Sequence, residues 1–329
     1  MTNAIEATGL VKRYGEVQAL DGLSFSVPEG VVFGLLGPNG AGKSTTVKIL
    51  TTLSRADEGE ARVGGHDVLR NAEQVRHLTG VVAQKSGLDP DATGRENVRL
   101  QGQIYGLHGR ELEQRIDELL ARFGLADAGD RLVRGYSGGM QRRLDIALAL
   151  VHRPRVLFMD EPTTGLDPEV RASMWQEISR LARDEGLTVL LTTHYMEEAD
   201  ELASRLVILD RGRIVAEGTP EELKGELRGD AVHVELGEVQ TNGRVQLALG
   251  EVPGISEATV DGRLLHARAD NGARAVPAVL QALESNGIEV AAVTVARPSL
   301  EDVYLRYAGR TFSEAEEEAE TEKDKEDTR

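Results

Sequence analysis

The chain has no cysteine among its 329 residues. That excludes a disulfide framework and any thiol chemistry, and it suits a reducing compartment. Long apolar runs are missing as well. No stretch approaches the ~18 consecutive apolar residues that a membrane-spanning helix needs. The opening Met1-Thr2-Asn3-Ala4-Ile5-Glu6 lacks the basic and apolar regions of a signal peptide. Work at a membrane therefore calls for a separate membrane polypeptide. Basic residues are in deficit: 38 Lys and Arg against 55 Asp and Glu leave a net charge of -17. A nucleic-acid binder would present a basic face, so no nucleic-acid partner is expected. Part of the acidic excess lies in residues 311–329, with Glu314, Glu316, Glu317, Glu318 and Glu320. That run reads as a disordered, self-repelling tail; a salt-adapted source is the other reading of the charge.

What is present begins with glycine in a fixed pattern. Residues 31–36 are apolar and rich in strand formers, as suits a strand of a parallel sheet buried on both faces. They feed into Gly37-Pro38-Asn39-Gly40-Ala41-Gly42-Lys43-Ser44, and then into Thr45-Thr46-Val47-Lys48-Ile49-Leu50, which runs as a helix. Strand, G-x-x-x-x-G-K-S and helix together make a phosphate loop. Gly37, Gly40 and Gly42 let successive N–H groups point inward without a Cβ in the way. The helix start adds unpaired N–H groups and the positive end of its dipole. Lys43 reaches the β- and γ-phosphates as a mobile charge, and the Ser44 hydroxyl is a ligand for Mg²⁺. A nucleoside triphosphate with Mg²⁺ is the implied ligand pair.

A second short apolar run, 156–159, comes after Pro154 and ends in Asp160-Glu161. A carboxylate at the carboxyl end of a strand beside the phosphate loop can hold Mg²⁺ through water, which assigns Asp160 to the metal. Glu161 points elsewhere and can polarise an attacking water. A third run, 189–193, leads into His194.

The order of phosphate loop, Gln84, Tyr136-Ser137-Gly138-Gly139-Met140-Gln141, Asp160-Glu161, Gly165-Leu166-Asp167 and His194 resembles the nucleotide-binding subunit of an ABC transporter over roughly residues 4–225. In that family two such domains pair head to tail and sandwich ATP between the phosphate loop of one and the serine-glycine-glycine signature of the other. The resemblance implies a homodimer of ATP-binding subunits and an ATPase coupled to transport. It implies that Tyr14 stacks on adenine, that Gln84 touches Mg²⁺ or the attacking water, and that His194 holds the γ-phosphate and the water with Glu161. Ser137, Gly138 and Gly139 would bind the γ-phosphate of the opposite subunit, and Asp167 would lie at the dimer contact. The signature departs from the commonest pattern: Tyr136 stands for the usual Leu, and Met140-Gln141 for a single Gln.

Along the chain, the expected fold is α/β: a P-loop NTPase domain over 4–228 with a helical subdomain at about 86–152, then a small α+β domain over 230–310. Helices are expected at 95–105 and 111–123, and a hairpin turns at Asp210 to Gly212. Thr219-Pro220-Glu221-Glu222 opens a short helix with a capping box. Beyond it the sequence predicts strands at 231–236, 255–260, 263–269 and 288–296, and helices at 273–285 and 300–307. His233 and His266 read as strand residues rather than ligands. A single ATPase domain with this extension, ending Ser299-Leu300-Glu301-Asp302-Val303-Tyr304-Leu305, resembles the daunorubicin-resistance type of drug-export ATPase with an ABC-2-type permease as partner. That implies a peripheral protein on the cytoplasmic face of the cell membrane. The alternative is a soluble ABC-type ATPase acting on ribosome or DNA. Against it, no long coiled coil splits the domain and only one set of motifs occurs.

Overall fold

The computed structural model describes residues 2–327 apart from 228 and 251, so the expected domain end at 228 and the last two tail residues lie outside the described residues. The chain divides into two compact units, Met1–Glu217 and Gly218–Arg329.

The first unit opens with a long antiparallel ribbon, β1 (Asn3–Tyr14) and β2 (Val17–Pro28), then β3 (Val32–Leu36) and α1 (Lys43–Leu50). Next come β4 (Glu58–Val63), β5 (His66–Asp67), α2 (Ala72–Leu78) and β6 (Thr79–Val82). The helical stretch comprises α3 (Gly94–Ile104), α4 (Gly109–Arg122) and α5 (Gly138–Ala149). β7 (Val156–Asp160), α6 (Pro168–Glu185), β8 (Thr188–Thr193), α7 (Met196–Leu202), β9 (Arg205–Asp210) and β10 (Arg213–Gly218) complete it. Two sheets result: β2-β1-β4-β5, antiparallel, and β10-β9-β3-β8-β7-β6, in which β9, β3, β8, β7 and β6 run parallel.

The apolar runs are strands because both of their faces are covered. Leu157, Met159, Val189 and Leu191 enter one core with the helical stretch. Their neighbours Val156, Phe158 and Leu190 join Phe33 and Leu35 in a second core with the antiparallel sheet and α1. Side chains alternate between faces along a strand, so a strand covered on both sides must be apolar throughout. In the helical stretch, Thr93 and Glu96 close a capping box on α3. α4 buries Leu112, Ile116, Leu119 and Leu120 in the first core.

The second unit holds α8 (Pro220–Glu226), β11 (Asp230–Leu236), α9 (Asn242–Leu249), β12 (Ile255–Asp261), β13 (Leu264–Ala269), α10 (Gly272–Ser285), β14 (Val290–Ala296), α11 (Leu300–Ala308) and α12 (Phe312–Asp327). Its sheet is antiparallel, in the order β12-β13-β11-β14. Val232, Val234, Leu236, Leu265, Val279 and Leu283 form its core.

Two features differ from the sequence expectation. The segment from Gly218, with the Thr219–Glu222 capping box of α8, groups with the second unit rather than the first. The acidic tail is helical rather than disordered. Thr311 accepts from the Glu314 N–H at 3.2 Å and Glu314 Oε2 accepts from the Thr311 N–H at 2.8 Å, a reciprocal cap. Phe312 packs edge-on against Tyr304, with centroids 5.0 Å apart, and Ala315 is buried. Glu, Ala and Lys are strong helix formers, and the cap with its apolar anchor tips the balance against charge repulsion. α9 is an addition to the expected elements: its sequence offers only Val245 and Leu249, one turn apart and both buried, as an apolar pair.

Candidate active site

The parallel sheet assembles the site by its register. Leu36 of β3 pairs with Thr193 of β8, Asp160 of β7 with Thr192, and Val82 of β6 with Met159. The carboxyl ends of four neighbouring strands therefore lie side by side. Each of these strands runs out into a motif: the phosphate loop, His194, Asp160-Glu161 and Gln84. That edge is where open parallel sheets bind their ligands.

The loop from Gly37 to Gly42 closes tightly on the protein beneath it. A Cβ on Gly37 would lie 2.5 Å from the Leu209 carbonyl oxygen, and one on Gly42 would lie 2.6 Å from the Ala19 carbonyl oxygen. Gly42 also has φ 103°, open to glycine and hostile to other residues. These two glycines are therefore required by the backbone itself. Lys43 is buried and donates to the carbonyls of Gly37 at 2.7 Å and Pro38 at 3.0 Å, which holds its ammonium within the arc of the loop. Ser44 and Thr45 sit in the first turn of α1. The Ser44 hydroxyl donates to Asp160 Oδ1 at 3.1 Å, and the same oxygen accepts from Thr192 Oγ1 at 2.6 Å. A hydroxyl and a carboxylate so placed are hard oxygen donors of the kind Mg²⁺ takes.

Glu161 is the hub. Its carboxylate lies 3.6 Å from Lys43 Nζ, accepts from Gln84 Nε2 at 2.9 Å, and lies 3.3 Å from His194 Nδ1. The histidine contact is close but falls outside good hydrogen-bond geometry. Burial pushes the Glu161 carboxyl up; His194, Lys43 and Gln84 beside it outweigh burial and hold it down at about 2. Its backbone has φ 47°, a conformation an L-residue with a long side chain adopts at a cost. That strain is held by two bonds from its N–H to Thr192, 3.0 Å to the hydroxyl and 3.2 Å to the carbonyl.

Arg142, on α5, belongs to none of the sequence motifs. Its guanidinium is buried and donates to the carbonyls of Ala83 at 2.6 Å, Pro162 at 2.7 Å, Asp160 at 3.2 Å and Glu161 at 3.3 Å. It thus ties Asp160, Glu161 and the residue that follows them to the residue before Gln84. Burial lowers its pKa from the usual range. Its one sequence signal is its place on the helix after the Ser137-Gly138-Gly139 turn. Thr192 likewise reads in the sequence only as a strand residue.

The remaining expected residues lie in two other places. Ser137 caps α5 by accepting from the Met140 N–H at 3.3 Å. Asp167 caps α6 by accepting from the Val170 N–H at 3.0 Å. The two turns adjoin: a Cβ on Gly139 would lie 2.7 Å from Val170. Tyr136, in place of the usual Leu, is buried and donates to the Ala128 carbonyl at 2.7 Å, so the substitution is absorbed by the helical stretch. Tyr14 ends β1 with its ring 48 % exposed under the Lys12 ammonium, 5.3 Å from its centroid. No helix among the described residues is long and apolar enough to cross a membrane.

Comparison with known proteins points the same way. A family model described as ABC transporter matches residues 20–164, and one described as the C-terminal domain of DrrA1-3-like ATP-binding proteins matches residues 218–308. The daunorubicin resistance ATP-binding protein DrrA3 of Streptomyces coeruleorubidus is 48% identical over 306 residues, 93% of this chain and 96% of its own. The daunorubicin/doxorubicin resistance ATP-binding protein DrrA of Streptomyces peucetius is 44% identical over 98% of both chains. Among solved structures, the dimeric post-hydrolysis state of an ATP-binding cassette bound to ADP and Pi matches with a TM-score of 0.60 and 28% identity, covering 65% of this chain and 98% of that one.

Proposed function

The chain belongs to the ATP-binding subunits of ABC transporters, in the branch of the daunorubicin-resistance proteins, and on that premise we propose how its residues divide the work. It is an ATPase. The observation that carries the mechanism is the convergence of Lys43, Ser44, Asp160, Glu161, Gln84 and His194 at one edge of the parallel sheet.

The phosphates of ATP lie against the N–H groups of the loop, and Tyr14 stacks on the adenine. Ser44 and Asp160, with Gln84, would hold Mg²⁺, whose charge would offset that developing on the phosphates. Lys43 lies 3.6 Å from Glu161 and acts on it as a neighbouring cation. Drawing it to the phosphates removes a cation that depresses Glu161, so nucleotide binding itself strengthens the base. Glu161 then accepts the proton of a water that His194 and Gln84 help to orient, and that water attacks the γ-phosphorus in line with the departing ADP oxygen. Ser137, Gly138 and Gly139 at the start of α5 receive the γ-phosphate of a second copy, with Asp167 at the contact.

Two copies therefore close on two ATP. Closure moves the helical stretch and switches a separate ABC-2-type permease, and hydrolysis reopens the pair. The chain works as a peripheral protein on the cytoplasmic membrane face, and the cargo is a drug or another small hydrophobic molecule. The Glu161→Gln variant tests the scheme. It should bind ATP, turn over at least ~100-fold more slowly, and run as a dimer in ATP on a sizing column. Full turnover, or a monomer in saturating ATP, refutes the role of Glu161.

A further inference from the structure

The second unit carries a cluster for which the ATPase has no use. His233 of β11 lies directly opposite His266 of β13 in the antiparallel register. Their Nδ1 atoms are 3.1 Å apart and the rings are nearly perpendicular, at 88°. Val232, Val234 and Leu236 of β11 face the apolar core, as do Leu265, Ala267 and Ala269 of β13. By alternation both histidines point from the other face of the sheet. Asp302 of α11 lies over that face, and one ligand atom from each of His233, His266 and Asp302 falls within 4.8 Å of the other two. His266 is 5 % and Asp302 8 % exposed.

From this juxtaposition we propose that His233, His266 and Asp302 form a binding site for one divalent transition-metal ion of the zinc class, with one position open. Two imidazole nitrogens 3.1 Å apart already have the spacing of neighbouring ligands around an ion held at about 2.0–2.1 Å. The carboxylate completes the set by closing roughly 1.5 Å. Asp302 is held for this by its other duty. Its Oδ2 accepts from the Ser299 N–H at 2.8 Å and from Ser299 Oγ at 2.7 Å in the cap of α11, which leaves Oδ1 for an ion and fixes its direction. Three protein ligands and an open position match the pattern of sites that take an exogenous fourth ligand.

The open position has somewhere to lead. A cavity of about 440 Å³ is lined by His266, Asp302, Thr259, Gln246, Arg268 and Arg306. The two guanidinium groups would repel a bare cation, but Asp261, Glu301 and Asp302 set negative charge near His266. Mixed imidazole and carboxylate donors favour Zn²⁺ over Mg²⁺, which separates this site from the all-oxygen pair Ser44 and Asp160. The ion would pin α11 to β11 and β13.

The test uses the full chain, stripped with EDTA and titrated with Co²⁺ and Zn²⁺. Wild type should bind one equivalent of Co²⁺ with the strong visible absorption of a low-coordinate, nitrogen-ligated ion, and Zn²⁺ should displace it. His233→Gln and His266→Gln should each lose that spectrum with MgATP turnover unchanged. Asp302→Asn, which keeps an oxygen for the Ser299 cap, should weaken Zn²⁺ binding at least ~10-fold. If wild type takes up no more ion than the two histidine variants, the pair is an imidazole–imidazole hydrogen bond and the proposal fails. Should His266→Gln not fold, the half-buried His233→Gln decides the matter alone.

Discussion

The parallel sheet of the first unit and the antiparallel sheet of the second solve opposite problems. The parallel sheet is apolar on both faces and does its chemistry at one edge, where strand ends line up. The antiparallel sheet buries one face and sets its polar residues, His233 and His266 among them, across the other. An edge site is built from the residues just past each strand end, so they cluster into short contiguous motifs. A face site is built from register, so its residues lie 33 positions apart and share no motif. The position of a functional group in a sheet thus decides how visible it is along the chain.

The contrast can be broken most forcefully at Arg142. If the edge site depends on one buried guanidinium bridging strand ends, Arg142→Met leaves several carbonyls without a donor. It should cost about 3 kcal/mol of stability, at 1–3 kcal/mol per stranded group less what water recovers, read as a lower urea midpoint. A midpoint unchanged from wild type would mean that the strand ends hold themselves. The next effect is one of acid. The Glu161 carboxyl sits near 2 against an ordinary 4.5, so the unfolded chain binds more protons between those values. The stability this contributes is fully present above about pH 4.5 and is lost as pH falls toward 2. Urea titrations of wild type and Glu161→Gln at about pH 6 and pH 3 should therefore show a difference that shifts against wild type in acid; a constant difference would deny the depressed pKa. The smallest effect belongs to the second unit. Thr219→Ala removes the capping box of α8 and should cost about 1 kcal/mol with ATP turnover unchanged. Lost turnover would show that the second unit governs the edge site.

Much of the first unit is legible in the sequence because its chemistry makes backbone demands. Gly37 and Gly42 can be nothing else where carbonyls stand within 2.6 Å of a Cβ. The runs before Gly37, Asp160 and His194 are apolar because both sheet faces are covered. Arg142 and Thr192 stay hidden because their bonds go to backbone carbonyls and to neighbours brought near only by strand pairing. In the second unit the strands and most helices are readable from alternation and caps. α9 is not. The tail misleads because its charge is conspicuous and the Thr311–Glu314 cap that starts its helix is not. The two histidines fall on strands as expected, but nothing in the sequence says that they oppose each other.

Arg142 has a further consequence. It sits on the helix that Ser137 opens, yet all four carbonyls it holds belong to the loop before Gln84 and the segment carrying Asp160 and Glu161. A buried fork with that many attachments does not stretch; it transmits. Any tilt that a second copy imposed on the Ser137 end of α5 would arrive at the Glu161 carboxylate as displacement rather than be absorbed along the way. The chain therefore carries a stiff crank between the turn that would receive one ATP and the residues that would cut another.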